Sequence, residues 1–335
     1  MDIYYDSNYS NAYLINNDEN YQLKEITIIK PYGQLFYPFI LRTIPSVFGE
    51  KYKSYTDIIS PYGYSGPLLV NIDNDFKDTM NKEFNSVMIK FCEENNVVTE
   101  FVRFHPIYKN YYDFNELYGL SAPHKTIAID LSVSDILLDE FSSMKIRNVK
   151  SAINKGIEVI ITDNSNDIMD FINLYGLTMD KNHATKEYYF PESYFYYLFN
   201  NLNDKIKLFI AKHDNINIAG AIILIGDDII HYHLGATNPD YYAYNAISLI
   251  FLEVSKWGKS NGYKYLHLGG GMTNSKNDSL YSFKSNFTKT GYFNFVTGNR
   301  IWNKNIMLEL NKKADIIRGS TIEEGYFPEY RCLQQ

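Results

Sequence analysis

The chain has 335 residues, of which 45% are hydrophobic, and a formal net charge of −7 at pH 7. The length is enough for about two domains of ordinary size. An acidic balance argues against a broad nucleic-acid-binding surface, the apolar runs are too short to span a bilayer, and the polar N-terminus lacks the pattern of a signal peptide. With two cysteines at unpaired spacing, these features predict a cytoplasmic protein.

The first half has the pattern of strands followed by one long helix. Two strands are predicted over Tyr21–Arg42, around a turn at Pro31–Gly33. Apolar residues at helical spacing predict a helix over Lys77–Asn95, and a strand over Val97–Phe104 follows at once. The order strand, strand, loop, helix, strand recurs in the second half, although no repeat is detectable residue by residue.

The middle of the chain is mainly helical over Ser132–Ile153 and carries a basic cluster. The cluster contains Lys145, Arg147, Lys150 and Lys155. Such a cluster either faces an anionic ligand or is a solvated helix face.

The second half begins with a helix predicted over Asp167–Met179. Three strands joined by tight turns follow, at Lys205–Asp214, Ile216–Gly226 and Ile229–Ala236. The turn pairs between them suit short hairpins, so an antiparallel meander is predicted.

The helix after this meander is the first candidate binding element. It is predicted to begin after Asn245, the candidate N-cap, and to end before Gly262. The N-terminus of a helix presents unpaired backbone N–H groups and partial positive charge, which together bind a phosphate. The predicted phosphate-binding residues are Tyr244, Asn245, Ala246, Ile247 and Ser248. The alternative is an ordinary strand-to-helix connection.

Three histidines are candidate bases, since histidine titrates near neutral pH. His231 and His233 are two apart on a predicted strand and so point to one face, where they are costly to bury without partners. His267 precedes Gly269–Gly271, where bare backbone can approach a ligand closely. Structural roles, and a wide turn for the glycines, are the alternatives. Apart from the His231 and His233 pair, no grouping has metal-ligand spacing, and no metal is expected.

Short segments spread over nearly the whole chain carry a family resemblance. They are Ser60–Leu68, Glu100–Pro106, Lys145–Val159, His267–Gly271, Tyr281–Phe287 and Phe327–Arg331. In this order they resemble the successive blocks of the Fem-type tandem GNAT transferases. The resemblance implies an α/β fold with mixed sheets, in which two tandem GNAT-like domains have the active cleft between them. The first domain would comprise residues 1–145, completed by 317–335, and the second residues 146–316.

That superfamily divides by acyl donor. One branch moves an amino acid from aminoacyl-tRNA to a peptidoglycan precursor. The branch that this chain resembles more uses acyl-CoA, as co-substrate, to acylate nucleotide-linked amino sugars for surface polysaccharides such as lipopolysaccharide or capsule. The leading hypothesis is therefore transfer of an acetyl or short hydroxyacyl group, such as hydroxybutanoyl, to the amino group of a dTDP- or UDP-linked deoxy sugar. The alternatives are the peptidyltransferase activity and a non-catalytic GNAT-like module that binds nucleotide sugars or glycans.

The resemblance also implies roles for particular residues. Acyl-CoA would bind at the loop and helix that contain Tyr244–Ser248. Phe283 and Lys284 would lie at the reaction centre, where Phe283 contacts the substrate and Lys284 stabilises negative charge. Taken alone, Lys284 would be an ordinary surface lysine. The nucleotide sugar would be held by Tyr62, Tyr64, Arg103 and His105. For Arg103 and His105 the alternative is an internal clamp to an acidic side chain such as Glu100 or Asp130. The oligomeric state is left open.

Overall fold

The computed structural model describes residues 1–15, 20–162, 165–185, 188–272, 277–320 and 326–333. The chain forms two compact units, each built from two segments. The first unit comprises Met1–Asn16 and His124–Asn294, and the second comprises Asn17–Pro123 and Phe295–Gln335.

The elements are numbered in chain order. The strands are β1 (Tyr21–Lys30), β2 (Gly33–Thr43), β3 (Thr56–Ile59), β4 (Leu68–Val70), β5 (Val97–Arg103), β6 (Gly119–Asp130), β7 (Glu158–Thr162), β8 (Ile206–His213), β9 (Ile216–Ile225), β10 (Ile229–Thr237), β11 (Tyr265–Gly269) and β12 (Tyr292–Ile301). The α-helices are α1 (Ser7–Ile15), α2 (Lys77–Glu94), α3 (Ile136–Asp139), α4 (Ser143–Asn154), α5 (Ser165–Lys181), α6 (Glu192–Asn201), α7 (Ala246–Ser260), α8 (Ser279–Ser285) and α9 (Lys304–Arg318). Short 3-10 helices lie at Ile3–Tyr5, Ser46–Phe48, Glu50–Tyr52, Asn74–Phe76, Asn110–Tyr112, Asn203–Lys205, Pro239–Tyr244 and Glu329–Arg331.

The sheet of the first unit has the strand order β6-β11-β10-β9-β8-β7. The predicted meander β8-β9-β10 is antiparallel, and residues Asp214 and Asn215 make its first turn with φ values of 48° and 64°. A left-handed conformation at both positions is typical of the tightest hairpin turns. By contrast, β10 and β11 are parallel, with α7 as the crossover between them. The buried face of α7, including Ile250, Phe251 and Val254, packs in the core of this unit.

The second unit repeats this order of elements. Its strand order is β1-β2-β3-β5-β12, with β4 also pairing with β2. Strands β1, β2 and β3 are antiparallel, whereas β3 and β5 are parallel and α2 is the crossover. The buried side of α2, with Met80, Phe84 and Met88, contributes to a separate hydrophobic core. The expected fold class, α/β with mixed sheets, is therefore confirmed.

The boundaries between the units differ from those expected at residues 145 and 316. They fall after Pro123 and after Asn294, inside strands β6 and β12. A sequence pattern indicates a boundary by a linker, but a strand that runs through the boundary has no linker to detect. Residues Met1–Asn16 also belong to the first unit, far from the rest of that unit in sequence.

The described residues include no helix that is both long enough and apolar enough to cross a bilayer.

Candidate functional site

The first unit contains a pair of parallel strands that separate. Strands β10 and β11 pair from Ile229 with Tyr265 as far as His231 with His267. Beyond these histidines β10 continues beside β9 to Thr237, while β11 continues beside β6, and each strand has a register shift close to the point of separation. Such irregularities bend strands and re-aim their side chains. Strand edges that no longer pair with each other can bind an extended ligand rich in amide groups.

The N-terminus of α7 follows the separated end of β10. Asn245 is the N-cap, as predicted, in a left-handed conformation with φ of 59°. Within the described residues its side chain makes no capping hydrogen bond, and Ser248 N–H donates to its backbone oxygen. The first-turn amides and the helix dipole are therefore oriented for an anion. The predicted phosphate-binding residues, Tyr244 to Ser248, are all at this helix start.

Lys155 contributes positive charge beside the same helix start. Its Nζ donates to the backbone oxygen of Ala243 and lies 4.8 Å from the ring centroid of Tyr244. The imidazole of His213 packs against the same tyrosine, with ring centroids 4.8 Å apart. The predicted basic cluster is thus divided, because Arg147 and Lys150 are exposed on α4 whereas Lys145 is buried.

His231 is the centre of a buried polar chain at the point where the strands separate. Its Nε2 lies 2.7 Å from Oδ2 of Asp2, and its Nδ1 lies 3.3 Å from Nδ1 of His267. The three residues are at most 2% exposed. The ring of Tyr4 packs edge-on against His231 with a centroid distance of 4.6 Å. Asp2 was missed by sequence reasoning, since nothing in the pattern around it indicates a partner 229 residues away.

His233 has a different environment on the same face of β10. Its Nε2 is 2.7 Å from the hydroxyl of Tyr194, and its ring packs edge-on against Tyr9. Burial, with a smaller effect from the charge of His231, lowers the pKa of His233 to about 3. Tyr232 points to the opposite face, against Phe251, so the predicted alternation of side chains is correct.

Lys284 and Phe283 lie on α8, as predicted, but Lys284 is not a surface residue. Its Nζ donates to the backbone oxygen of Gly270 at 2.9 Å and is 6.0 Å from the ring centroid of Tyr232. Burial lowers the pKa of Lys284 to about 8, while the charge of Asp278 acts to raise it. Asp278 caps α8 by accepting from Tyr281 N–H and also accepts from the N–H group of Met272. The glycine-rich turn after His267 is therefore attached to the helix that carries Lys284.

Lys145, which the sequence analysis placed in the basic cluster, is a second buried lysine. It is 4% exposed, and its Nζ lies 4.0 Å from the ring centroid of Phe283 and 4.5 Å from that of Phe287. Burial lowers the pKa of Lys145 to about 8. The ring of Phe283 therefore packs on the ammonium group of Lys145. The segment from Lys145 to Val159, one of those that carry the family resemblance, was the sequence feature that could have drawn attention to this lysine.

The predicted acceptor-binding residues lie in the second unit. Arg103 donates from Nη2 to the backbone oxygens of Ser60 and Pro61, so it holds the start of the loop that contains Tyr62 and Tyr64. It clamps carbonyl groups rather than the acidic side chain considered as an alternative. The ring of Tyr64 packs edge-on against Phe295, with centroids 5.4 Å apart.

His105 is fully buried in this unit and stacks on Tyr108 with a centroid distance of 4.3 Å. Its Nδ1 accepts from Tyr108 N–H at 3.1 Å. The loop with Tyr62 and Tyr64 is therefore adjacent to Arg103, whereas the contacts described for His105 are those of a packed residue.

Comparisons with known proteins agree with this geometry. Residues 144–277 match the family described as "Acetyltransferase (GNAT) domain". This segment contains β8, β9, β10, α7 and β11, and the match confirms the predicted class of enzyme, an acyltransferase. No curated protein matches the sequence.

Among solved structures, FemX is similar with a TM-score of 0.69 and 13% identity, over 90% of this chain and 92% of that one. The C-terminal domain (DUF2156) of a putative lysylphosphatidylglycerol synthetase from Agrobacterium fabrum has a TM-score of 0.53 and 11% identity, over 89% and 88% of the two chains. A tandem GNAT protein from the clavulanic acid biosynthesis pathway has a TM-score of 0.51 and 8% identity, over 88% of each chain. At these identities the similarity establishes the fold, which is that of Fem-like and tandem GNAT proteins.

Proposed function

We propose that the protein transfers an acyl group from acyl-CoA to the amino group of a nucleotide-linked amino sugar. The observation that carries the proposal is the helix start at Asn245, which lacks a side-chain cap within the described residues and follows strands that separate at His231 and His267. A phosphate on the α7 amides and an amide-rich arm along the strand edges fit a CoA thioester. The thioester would then be near the histidines and Lys284.

Amide formation needs a neutral amine, a nearby thioester carbonyl and stabilisation of the oxyanion that forms when the amine attacks. His233 is poorly suited as the base, because a pKa of about 3 leaves it with little affinity for a proton. His231 and His267 are better candidates, and we assign the base to this pair. Lys284, mostly charged at neutral pH with a pKa of about 8, would stabilise the oxyanion. The thiolate of CoA leaves and takes up a proton.

The acceptor assignment depends on the second unit. Tyr62 and Tyr64 belong to the loop that Arg103 holds at Ser60 and Pro61. Tyrosine rings bind sugar and base faces, and a guanidinium binds phosphate oxygens. These properties support a nucleotide-linked sugar as the acceptor, with Arg103 acting partly by positioning the tyrosine loop. We retain His105 as a proposed acceptor residue, although its packing on Tyr108 favours a supporting role.

A second candidate function is peptidyltransfer from aminoacyl-tRNA to a peptidoglycan precursor. The structural similarity to FemX, at a TM-score of 0.69, favours it. It needs the same base and oxyanion groups, and it differs in donor and acceptor. The net charge of −7 favours the smaller donor, since RNA binding needs clustered basic residues.

The deciding experiment offers both donors to one preparation. Purified protein is incubated with acetyl-CoA or hydroxybutanoyl-CoA and a panel of dTDP- and UDP-linked amino sugars, and released thiol and acylated product are measured. Parallel reactions contain charged tRNA and a peptidoglycan precursor. The expected result is saturable, acceptor-dependent thiol release that added tRNA does not change. Transfer from charged tRNA alone would support the peptidyltransferase, and absence of transfer from every donor would support a binding module.

A further inference from the structure

The hydrogen bonds of the buried chain Asp2, His231 and His267 determine where its protons lie. A carboxylate can only accept, so His231 must donate from Nε2–H to Oδ2 of Asp2, over 2.7 Å. A neutral imidazole carries one proton, so Nδ1 of His231 is then an acceptor. His267 therefore donates from Nδ1–H across the 3.3 Å between the two Nδ1 atoms, and its Nε2 has the lone pair.

We infer that Asp2 is a positioning residue, and that it makes His267 the base of the proposed acyl transfer by way of His231. This inference rests on the proposed function. The lone pair on Nε2 of His267 takes a proton from the attacking amine. The proton on Nδ1 of His267 passes to Nδ1 of His231, which becomes a cation beside the Asp2 carboxylate. When the product leaves, the proton on Nδ1 of His231 returns to Nδ1 of His267. The proton on Nε2 of His267 passes to the thiolate of CoA or to solvent, so the pair regains its starting state and the step is balanced.

The position of this chain in the fold supports the inference. His231 and His267 form the last parallel pair before β10 and β11 separate, which is where the proposed thioester would lie. Asp2 is buried at 2% exposure and also caps the 3-10 helix Ile3–Tyr5 by accepting from Tyr4 N–H. A buried carboxylate whose oxygens bind an imidazole and a backbone amide is held in one orientation. Such fixed geometry is what a positioning carboxylate requires.

Other titratable groups of the first unit also face His231. His233 lies on the same strand and interacts with it electrostatically, and Tyr4 packs against its ring. His233 stays neutral above a pH of about 3, so near neutral pH it adds no charge beside Asp2, His231 and His267. Among the described residues of this unit, Asp2 is the carboxylate that pairs with His231.

The test compares Asp2→Asn with Asp6→Asn. Asp6 lies on the same N-terminal segment and pairs with Lys205 instead of a histidine. Removing the carboxylate next to His231 takes away a charge that stabilises the imidazolium, so the apparent pKa of the base falls. We expect the acid limb of the kcat/KM profile to move down by roughly 1 to 3 pH units in Asp2→Asn, with turnover at the plateau reduced about tenfold because the base is weaker. Asp6→Asn should keep the wild-type limb and plateau.

Two further measurements separate this inference from the proposed function. His267→Asn should lose a factor of roughly a hundred to ten thousand in turnover. Imidazole 15N NMR on the protein without substrate should show His231 protonated at Nε2 and His267 at Nδ1, and Asp2→Asn should move the His231 signals. If the wild type transfers no acyl group, the proposed function fails, and the NMR result still tests the inferred proton positions on His231 and His267. Protonation of His231 at Nδ1 would overturn the inference about Asp2, as would an unmoved acid limb in Asp2→Asn.

Discussion

At the scale of single residues, the first unit buries two lysines where lysine is seldom found. Lys145 and Lys284 are 4% and 8% exposed, and burial lowers the pKa of each to about 8. Lys284 has the oxygen of Gly270 as a partner, whereas Lys145 has two aromatic rings and, in the part of the chain described, no carboxylate. Burying a charged lysine costs free energy, and a buried group with a strongly shifted pKa is a candidate for a functional site.

Lys145→Met should stabilise the protein at pH 7. Methionine keeps the volume and the contact with Phe283 and Phe287 but carries no charge. In the wild type, the folded pKa of about 8 lies below the ordinary lysine value of 10.5, so the unfolded chain binds more protons between these values. Stability therefore rises as pH increases through that window.

The measurement is urea unfolding of Lys145→Met from pH 7 to 10. The variant should be about 1 to 3 kcal/mol more stable than the wild type at pH 7, with the difference shrinking as pH rises. Lys150→Met, an exposed position on the same helix, is the control and should change little. A loss of stability in Lys145→Met that is independent of pH would contradict the prediction.

Lys284→Met should lower the rate of the proposed acyl transfer. Removing one oxyanion-stabilising group typically costs a factor of about a hundred to a thousand in turnover. The acid limb of the pH profile should stay in place, because the pKa of Lys284 is about 8 and the proposed base is a histidine. Stopped assays over pH 5 to 9 check this, with the exposed Lys289 replaced as control. A shifted acid limb with full turnover at high pH would exclude the oxyanion role.

At this scale the sequence predicts which side chains share a face of one strand or helix. The alternation of a strand correctly predicted that His231 and His233 share a face opposite Tyr232. It did not predict Asp2, because a hydrogen bond between residues 229 apart depends on the whole fold. Nor did it predict the burial of Lys284, whose helix carries apolar residues on one side only.

At the scale of elements, α7 and the strand before it were the most predictable part of the chain. Their apolar residues recur at regular spacing, and turn residues mark each end, so the pattern alone fixes type and position. Strands such as β3, with four residues, and β4, with three, are too short to establish a period. They form because neighbouring strands supply hydrogen-bond partners, which local pattern cannot reveal.

The start of α7 gives a prediction in which binding and stability change in opposite directions. Asn245→Asp places negative charge at the positive end of the helix dipole, which favours the helix by about 0.3 to 1 kcal/mol. The same charge repels a phosphate at that place. We therefore expect unchanged or higher thermal stability together with a KM for acyl-CoA raised roughly fivefold, the effect of about 1 kcal/mol between charges near 4 Å in water. Asn245→Ser should leave the KM near the wild-type value.

Steady-state kinetics with varied acyl-CoA and a thermal melt on the same samples check both parts. If Asn245→Asp binds acyl-CoA as tightly as the wild type, the donor phosphates do not lie at this helix start.

At the scale of the whole molecule, each unit is assembled from two distant segments of the chain. In the second unit, Asp57 is fully buried and accepts from Nε of Arg42 at 2.7 Å and from Nε of Arg331 at 2.6 Å. Burial alone would raise the pKa of Asp57, but Arg331 and Arg42 together lower it. Tyr330 also donates to this carboxylate. The C-terminal segment therefore attaches to the second unit through a buried ionic cluster.

Arg331→Leu should destabilise the protein by about 3 to 5 kcal/mol at pH 7, because it leaves the Asp57 carboxylate buried with one cation fewer. Because the folded pKa of Asp57 is lowered, its contribution to stability is fully present above the unfolded value of about 3.8 and is lost as pH falls through the lower folded pKa. The loss in the variant should therefore be largest at neutral pH and shrink as pH falls below about 4. Urea unfolding at several pH values measures it. The double variant Asp57→Asn with Arg331→Leu should recover part of the loss at pH 7, and equal losses in the two variants would argue against this cluster.

The interleaving of segments also has a consequence for synthesis. Asp2 leaves the ribosome 229 residues before His231, which at 5 to 20 residues per second is an interval of about ten to fifty seconds. The second unit likewise waits for Phe295–Gln335. Neither unit can reach its native state early in translation, so the nascent chain exposes apolar strands for most of that time. Any chaperone that shields such strands during synthesis would therefore have to act until the last segment arrives.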